Sequence, residues 1–175
     1  MVVAAMMPTV NVSAQNYPNE VSIAYGVGSN SDIISTLVNG MFTGKQVDYW
    51  GPISGEYFRY ISNDKLAVGG IAVLSGCKWD DSGNAKSTFF TIMPAVKYKW
   101  LNASHFAMYS KVAAGLLVMS DSGNLSNGSS TDKTRTAFNC QVSALGMEFG
   151  SSFRGFVELG MGEQGIILGG LRYKF

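Results

Sequence analysis

The chain has 175 residues, of which 14% are Asp, Glu, Lys or Arg, and a formal net charge of +1. This length suits one domain, and the balanced charge, without a basic stripe or an RNA-binding aromatic motif, excludes a nucleic-acid-binding protein. No apolar run approaches the ~20 residues that a membrane-spanning helix needs, and stretches such as Val112–Met119 are too short. Low charge and 21 glycines without such a helix favour a transmembrane β-barrel.

The first 14 residues have the pattern of a targeting segment. Val2–Met7 is apolar, and Val12-Ser13-Ala14 fits the small-residue cleavage pattern, which predicts a mature chain beginning at Gln15. The basic residues that usually precede such a run are absent. We therefore expect residues 1–14 to be the remnant of a signal peptide and residues 15–175 to form the barrel domain; a disordered N-terminal arm is the alternative.

About eight segments alternate between apolar residues and polar or small ones, the pattern of strands with two different faces. Each is close to the 9–11 residues that a tilted barrel strand requires. The sequence therefore predicts an all-β fold, a single antiparallel up-and-down transmembrane barrel. In chain order the segments are Glu20–Gly28, Tyr49–Ile61, Leu66–Trp79, Thr88–Trp100, His105–Met119, Lys133–Phe149, Phe153–Met161 and Ile166–Phe175.

Two irregularities are predicted within these strands. Pro94 cannot donate a hydrogen bond to a sheet ladder, so we expect a bulge or local bend at this residue. In the sixth segment the alternation slips near Leu145-Gly146, which indicates a bulge.

The connections between the segments alternate in length. The first, third and fifth are longer than the even-numbered ones, which are Ser62–Asp64, Leu101–Ser104 and Gly150–Ser152. Outer-membrane barrels have short periplasmic turns and longer external loops. The order fits a barrel with both termini in the periplasm, and Asp32–Val38 in the first long connection is predicted to form a short helix.

The last segment carries the most specific motif. Gly170 is followed by two arbitrary residues, apolar Tyr173, one arbitrary residue and the aromatic Phe175. This spacing resembles the C-terminal signal by which the outer-membrane assembly machinery of Gram-negative bacteria recognises β-barrels. The chain as a whole resembles the small eight-stranded outer-membrane barrels, the group that includes OmpA-like and OmpX-like domains.

The resemblance implies an outer-membrane location, contact with outer-membrane lipids, insertion by the barrel assembly machinery and external loops open to a partner. It favours a structural or surface-interaction role without catalysis or a cofactor, with Ser29–Gln46 and Ser120–Asp132 as contact loops. The single histidine, His105, falls at the inferred periplasmic end, whereas barrel enzymes act at the outer rim. No histidine–cysteine cluster has zinc spacing, and Cys77 and Cys140 are interpreted as small apolar side chains.

Charged residues on the predicted inner face need partners, because an eight-stranded barrel is filled by its own side chains. We expect Glu56 and Glu158 to pair with several of the cations in a polar network. Aromatic residues at the strand ends are predicted to lie at the two membrane interfaces. The predicted inner charges are Glu56, Lys97, Lys111, Arg135, Arg154, Glu158 and Arg172, and the interfacial aromatics are Tyr49, Trp50, Tyr98 and Trp100.

Three other functions stay open on the sequence alone. A soluble lipocalin-like barrel that binds an apolar ligand would place the apolar face inward and the charges outside. A narrow pore would use the charged lumen as an ion path. A lipid-acting barrel enzyme would need an acid or nucleophile cluster on the external loops, where Asp80, Asp81, Asp121 and Asp132 have no base beside them.

Overall fold

The computed structural model describes residues 18–30, 47–62, 65–79, 85–124 and 130–175. The predicted signal-peptide remnant, the predicted helix at Asp32–Val38 and most of the Ser29–Gln46 loop lie outside these residues. Within the described ranges there is no helix of the length and apolarity needed to cross a membrane.

Eight antiparallel strands close into a barrel in chain order, with the last strand pairing with the first. This confirms the predicted all-β, up-and-down fold. The strands are β1 (Asn19–Val27), β2 (Val47–Ser62), β3 (Leu66–Trp79), β4 (Ala85–Asn102), β5 (Phe106–Asn124), β6 (Ser130–Gly150), β7 (Phe153–Gly162) and β8 (Ile167–Lys174).

Several strands are longer than the sequence predicted. Residues 120–132 were expected to form a loop, but β5 continues to Asn124 and β6 begins at Ser130, and these two residues pair. The polar residues of this stretch lack the alternation that lipid on one face imposes, so the pattern resembles a loop although the hydrogen-bonded ladder continues. Similarly, Leu101 and Asn102 still belong to β4, and the turn that follows is residues 103–105.

The connections keep the predicted alternation between the two ends of the barrel. Those after β2, β4 and β6 are residues 63–65, 103–105 and 151–152, the short periplasmic turns of this fold. Those at the opposite end are residues 28–46, 80–84, 125–129 and 163–166. The expectation of a long fifth connection was wrong, because extended strands occupy most of it.

The two predicted irregularities have different outcomes. Register shifts between Tyr109 and Lys111 on β5 and between Ser143 and Leu145 on β6 confirm the predicted bulge in the sixth strand. At Pro94 the predicted bulge is absent, because the register with β3 is continuous and the register with β5 is the same on both sides of Met93 and Pro94, which themselves have no partner on β5. Gly70, which lies opposite Pro94 on β3, leaves room for the proline ring.

The barrel has its apolar face outside. Large apolar side chains such as Ile23, Ile92, Val112 and Leu171 are exposed on the outer surface. Inside, buried charged and polar residues lie beside one apolar wall, formed by residues of β2 to β5: Phe58, Tyr60, Ala67, Ile71, Val73, Met93, Ala95 and Ala113. An exposed apolar belt around a charged interior is the arrangement of a barrel in lipid. It contradicts the lipocalin-like alternative, which required the charges outside.

Candidate functional site

The centre of the lumen holds a four-residue ion cluster contributed by four strands. Nζ of Lys111 on β5 lies 2.5 Å from Oε1 of Glu56 on β2 and 2.8 Å from Oε2 of Glu158 on β7. Nη2 of Arg172 on β8 lies 3.0 Å from Oε2 of Glu56. All four side chains are buried. Each buried charge therefore has an opposite charge in hydrogen-bond range, the condition under which charges are tolerated in an interior.

A second cluster lies towards the periplasmic end. Glu148 accepts from Nη1 of Arg172 at 2.6 Å and from Nζ of Lys174 at 2.5 Å. Glu20 on β1 pairs with Lys97 on β4. Arg172 contacts carboxylates of both clusters, so it joins the centre of the lumen to its periplasmic end.

Aromatic residues complete the network. The hydroxyl of Tyr109 donates to Oε1 of Glu158 at 2.5 Å, and the hydroxyl of Tyr60 donates to Oε2 of Glu20 at 2.6 Å. The Tyr109 ring also lies 4.8 Å from Nζ of Lys97, a cation–π contact. The rings therefore fill space that would otherwise hold water and add hydrogen bonds to the carboxylates.

The connection between β7 and β8 folds into the external mouth of the lumen. We call residues 163–165 of this connection the plug. Glu163 and Gln164 are buried, and Nε2 of Gln164 donates to Oγ of Ser54 at 2.9 Å and to Oε1 of Glu56 at 2.8 Å. The backbone N–H of Gln164 donates to Oε1 of Gln141 at 2.8 Å. The plug is thus hydrogen-bonded to the inner wall and to the central ion cluster.

Two glycines allow the backbone of the plug to enter and leave the lumen. A Cβ on Gly26 of β1 would lie 1.8 Å from the backbone oxygen of Gln164, so only glycine leaves room for the plug to pass. Gly165 has φ +108°, which side chains disfavour. The backbone N–H of Ile166 then donates to the Val27 carbonyl at 2.8 Å and returns the chain to the barrel wall.

Six of the seven predicted inner charges are buried and contact an opposite charge: Glu56, Lys97, Lys111, Arg154, Glu158 and Arg172. Arg135 differs from the expectation, because its side chain is exposed. Arg135 lies in the external part of β6, before Gln141, which is the first residue of β6 to pair with β7.

The sequence analysis left five buried charges out of the network: Glu20, Lys99, Glu148, Glu163 and Lys174. Lys99 and Lys174 stand two residues from Lys97 and Arg172, so alternation alone places them on the inner face. Glu148 follows the bulge in β6, where the alternation changes phase. No feature of the sequence predicted that the plug enters the lumen, because its residues have only the pattern of a turn.

The aromatic residues predicted at the interfaces occupy strand ends. Tyr98 and Trp100 are exposed on the outer face near the periplasmic end of β4, and Trp50 is exposed near the external end of β2. Tyr49 also belongs to β2, but its side chain is outside the described part of the chain.

The residues of the predicted assembly signal lie at the end of the chain. Tyr173 and Phe175 are exposed on the outer face and their ring centroids are 5.9 Å apart. Gly170 pairs with Ala24 on β1 and with Phe156 on β7.

At the external end, β5 and β6 extend far beyond β7. Their paired segments Gly115–Asn124 and Ser130–Asn139 are called the raised hairpin here. The β5 segment also pairs with β4 as far as Ser122, whereas the pairing of β6 with β7 starts only at Gln141. The raised hairpin thus has one edge that no described strand covers.

No protein-family model and no curated protein matches the chain. Among solved structures, Ail, the attachment invasion locus protein of Yersinia pestis, in complex with the heparin analogue sucrose octasulfate, is similar with a TM-score of 0.52 and 11% identity, over 90% of this chain and 96% of that chain. A second Ail structure has a TM-score of 0.47 and 14% identity, over 90% of this chain and 96% of that chain. The N-terminal β-barrel domain of Pseudomonas aeruginosa OprF has a TM-score of 0.41 and 16% identity, over 92% of this chain and 100% of that chain.

The chain has the fold of the small outer-membrane β-barrels. The first Ail structure supports this at the level of fold. The apolar outer surface and the charged interior agree with it, since an exposed belt of this extent requires lipid around it. The fold and the belt together agree with the bacterial outer membrane, which is the location that the sequence predicted.

Proposed function

We propose that this outer-membrane barrel is a surface-contact protein that binds an extracellular partner through the raised hairpin and the external loops. One observation carries the proposal: the free edge of the raised hairpin. Residues 130–139 of β6 have a strand partner on the β5 side and none of the described strands on the other. This edge is about 33 Å long at the usual rise per residue.

A free strand edge presents a row of backbone N–H and C=O groups that can pair with an added strand. An edge of this kind on a soluble protein risks aggregation, and charged side chains are a common protection. The β6 edge carries an exposed cation, Arg135, and an exposed aromatic ring, Phe138. This combination supports recognition of an extended segment with acidic groups, because the backbone supplies pairing and Arg135 supplies charge selection.

The likeness to Ail adds support for an external ligand. That barrel of the same fold was solved in complex with a heparin analogue, an anionic sugar. The Ser29–Gln46 loop, predicted as a second contact site, leaves the same external end of the barrel as the raised hairpin.

The filled lumen supports the same function, because it leaves little space for a solute to pass. Arg172, Tyr109, Phe58 and Lys97 are among the largest fully buried side chains and occupy the interior. The plug lies in the external mouth. A barrel of eight strands has an interior that side chains can fill, so the outer surface is the part left for interaction.

Adhesion of cells that display the barrel tests the proposal. In one variant, residues 116–138 are replaced by Asn-Gly, a two-residue turn that closes the strands at the existing Gly115–Asn139 pair and removes Arg135 and Phe138 with the free edge. We expect cells with the unaltered chain to adhere to immobilised heparin or serum proteins several-fold above vector-only cells. The trimmed variant should return to the vector level.

Two controls make the result specific. The trimmed barrel must reach the membrane and show the same heat-dependent gel mobility as the unaltered one. A variant with Gly-Ser in place of residues 125–129 alone keeps the paired strands and should adhere normally. If the trimmed and unaltered barrels adhere equally above the vector level, the raised hairpin is not the contact site; if neither adheres, the chain has a purely structural role.

A further inference from the structure

A shallow groove, called the outer groove here, interrupts the lipid-facing surface of β1 to β4. Its volume is about 380 Å³, and the small residues Gly55, Gly70 and Ala72 are part of its lining. A Cβ added at Gly55 would meet no atom within 4 Å, and one at Gly70 would approach only the backbone oxygen of Met93, at 3.8 Å. The two glycines therefore leave open space where larger side chains would fill the outer surface.

Larger side chains stand on both sides of these small residues. Gly55 pairs with Ala72 on β3, and Ala72 pairs with Ile92 on β4. Val21 on β1 and Tyr57 on β2 also line the groove, and both are exposed on the outer face. An acyl chain of the surrounding lipid can enter this depression, and it then makes the van der Waals contacts that an empty groove would lose.

A cation lies beyond the periplasmic end of the outer groove. Arg59 follows Tyr57 on the outer face of β2, about 7 Å further along the strand, and its side chain is exposed. No carboxylate oxygen of the described residues lies within 4.0 Å of its guanidinium group. Asn19 on β1 pairs directly with Arg59, so the two side chains are neighbours on the outer face.

Tyr57 connects this polar pair to the groove. Its hydroxyl donates to Oδ1 of Asn19 at 3.0 Å, which leaves the amide N–H groups of Asn19 as donors for another acceptor. On β4, exposed Tyr98 and Trp100 mark the periplasmic interface, the depth at which lipid headgroups lie. Arg59 and Asn19 therefore offer hydrogen-bond donors near the headgroups, and the groove lies deeper in the apolar belt.

We propose that this surface binds one phospholipid of the periplasmic leaflet. The phosphate accepts hydrogen bonds from Arg59 and Asn19, and one acyl chain lies in the outer groove between Tyr57 and Ile92. A guanidinium group suits a phosphate because its N–H donors lie in one plane and can bind two oxygens together. An anionic headgroup is preferred, since no described carboxylate offsets Arg59 and a zwitterionic headgroup carries its own cation beside the phosphate.

A second copy of the chain fits this surface less well than a lipid. It could cover the apolar groove, but a symmetric contact would bring two Arg59 side chains into the same interface without an anion between them. The surface also lies at the opposite end of the barrel from the raised hairpin. Lipid binding here is therefore independent of the proposed contact with an extracellular partner.

Native mass spectrometry of the refolded barrel tests the proposal, with phosphatidylglycerol and phosphatidylcholine of the same acyl chains added to a neutral detergent. The unaltered barrel should retain one phosphatidylglycerol at several-fold higher occupancy than phosphatidylcholine. Arg59→Gln should weaken phosphatidylglycerol binding about tenfold, the usual loss for a hydrogen bond to a charged group. Lys65→Gln, which removes an exposed cation from a periplasmic turn, is the matched control and should bind as the unaltered chain does.

Filling the outer groove tests the position of the acyl chain. Gly55→Leu places a side chain where the acyl chain should lie and should reduce phosphatidylglycerol retention several-fold. Gly155→Leu is the matched control, because a Cβ at this glycine of β7 also meets nothing within 4 Å but the residue does not line the groove. If Gly55→Leu does not refold, Ala72→Leu fills the same groove and replaces it.

The proposal is overturned if the unaltered barrel retains no phosphatidylglycerol. It also fails if Arg59→Gln loses no more lipid than Lys65→Gln, which would indicate general attraction to a basic rim, or if filling the groove has no more effect than Gly155→Leu. A dimer that forms without lipid and dissociates in Gly55→Leu would assign the groove to a second copy of the chain instead.

Discussion

Nζ of Lys111 lies 2.5 Å from Oε1 of Glu56 and thereby connects β5 to β2, three strands away around the barrel. Both side chains are fully buried. Contacts between neighbouring strands are already secured by the sheet ladder, whereas this pair crosses the interior and fixes the distance between opposite walls. The ion cluster is therefore both the filling of the lumen and a brace across it.

Removing the two central carboxylates should destabilise the barrel strongly. Glu56→Gln combined with Glu158→Gln leaves Lys111 without a charged partner and takes two carboxylates from Arg172. Breaking a buried pair by removing one side costs about 3–5 kcal/mol. Urea unfolding in lipid vesicles, followed by tryptophan fluorescence, measures the change in the free energy of unfolding.

A triple variant provides the control for that measurement. Adding Lys111→Met to the two glutamine substitutions removes the unpaired cation as well, so part of the lost stability should return. If the double variant unfolds at the same urea concentration as the unaltered chain, the cluster does not support the fold.

The lumen should not conduct ions. In planar bilayers we expect no discrete current steps from the unaltered barrel, because the plug and the ion cluster lie in series along the lumen. Gln164→Ala removes the side-chain hydrogen bonds to Ser54 and Glu56 and should lower the free energy of unfolding by about 1–3 kcal/mol. The variant should still not conduct, since Lys111 and Arg172 remain in place. Current steps from the unaltered barrel would instead establish the narrow-pore function.

The sequence predicted the strands well where lipid lies on one side of them. In β4, Ile92 and Val96 face lipid and Lys97 faces the interior, and this requirement imposes a strict alternation on the sequence. Beyond the membrane that requirement ends. Residues such as Thr134 and Thr136 are exposed to water. Because neither face of the strand needs apolar residues there, the sequence does not alternate and a paired strand resembles a loop.

The interior was harder to predict than the fold. Glu148 follows a bulge, and a slip of one residue exchanges the two faces of a strand. Gln164 stands in a turn, and its position inside the barrel depends on Gly26, which is 138 residues earlier in the chain. Contacts of this range leave no local pattern in the sequence.

The narrow passage beside Gly26 gives a sharp test of the plug. In Gly26→Ala the new methyl group would meet the backbone oxygen of Gln164 at 1.8 Å, so the plug must move and lose hydrogen bonds to the wall. We expect a loss of about 1–3 kcal/mol in the free energy of unfolding. Gly55→Ala is the matched control, because a methyl group there meets nothing within 4 Å, and its effect should stay within about 0.5 kcal/mol. Equal effects would mean that the plug does not occupy the mouth of the lumen.

The predicted assembly signal can be separated from simple anchoring in the membrane. Phe175→Ala removes the terminal aromatic ring, and we expect the amount of heat-modifiable barrel in outer-membrane fractions to fall several-fold, because the assembly machinery is predicted to read that ring. Phe153→Ala removes a ring of the same size from the same outer face, opposite Tyr173 on the neighbouring strand. Both changes remove interfacial aromatic surface, but only the first alters the signal. A similar fall in the two variants would show that aromatic anchoring alone explains the loss.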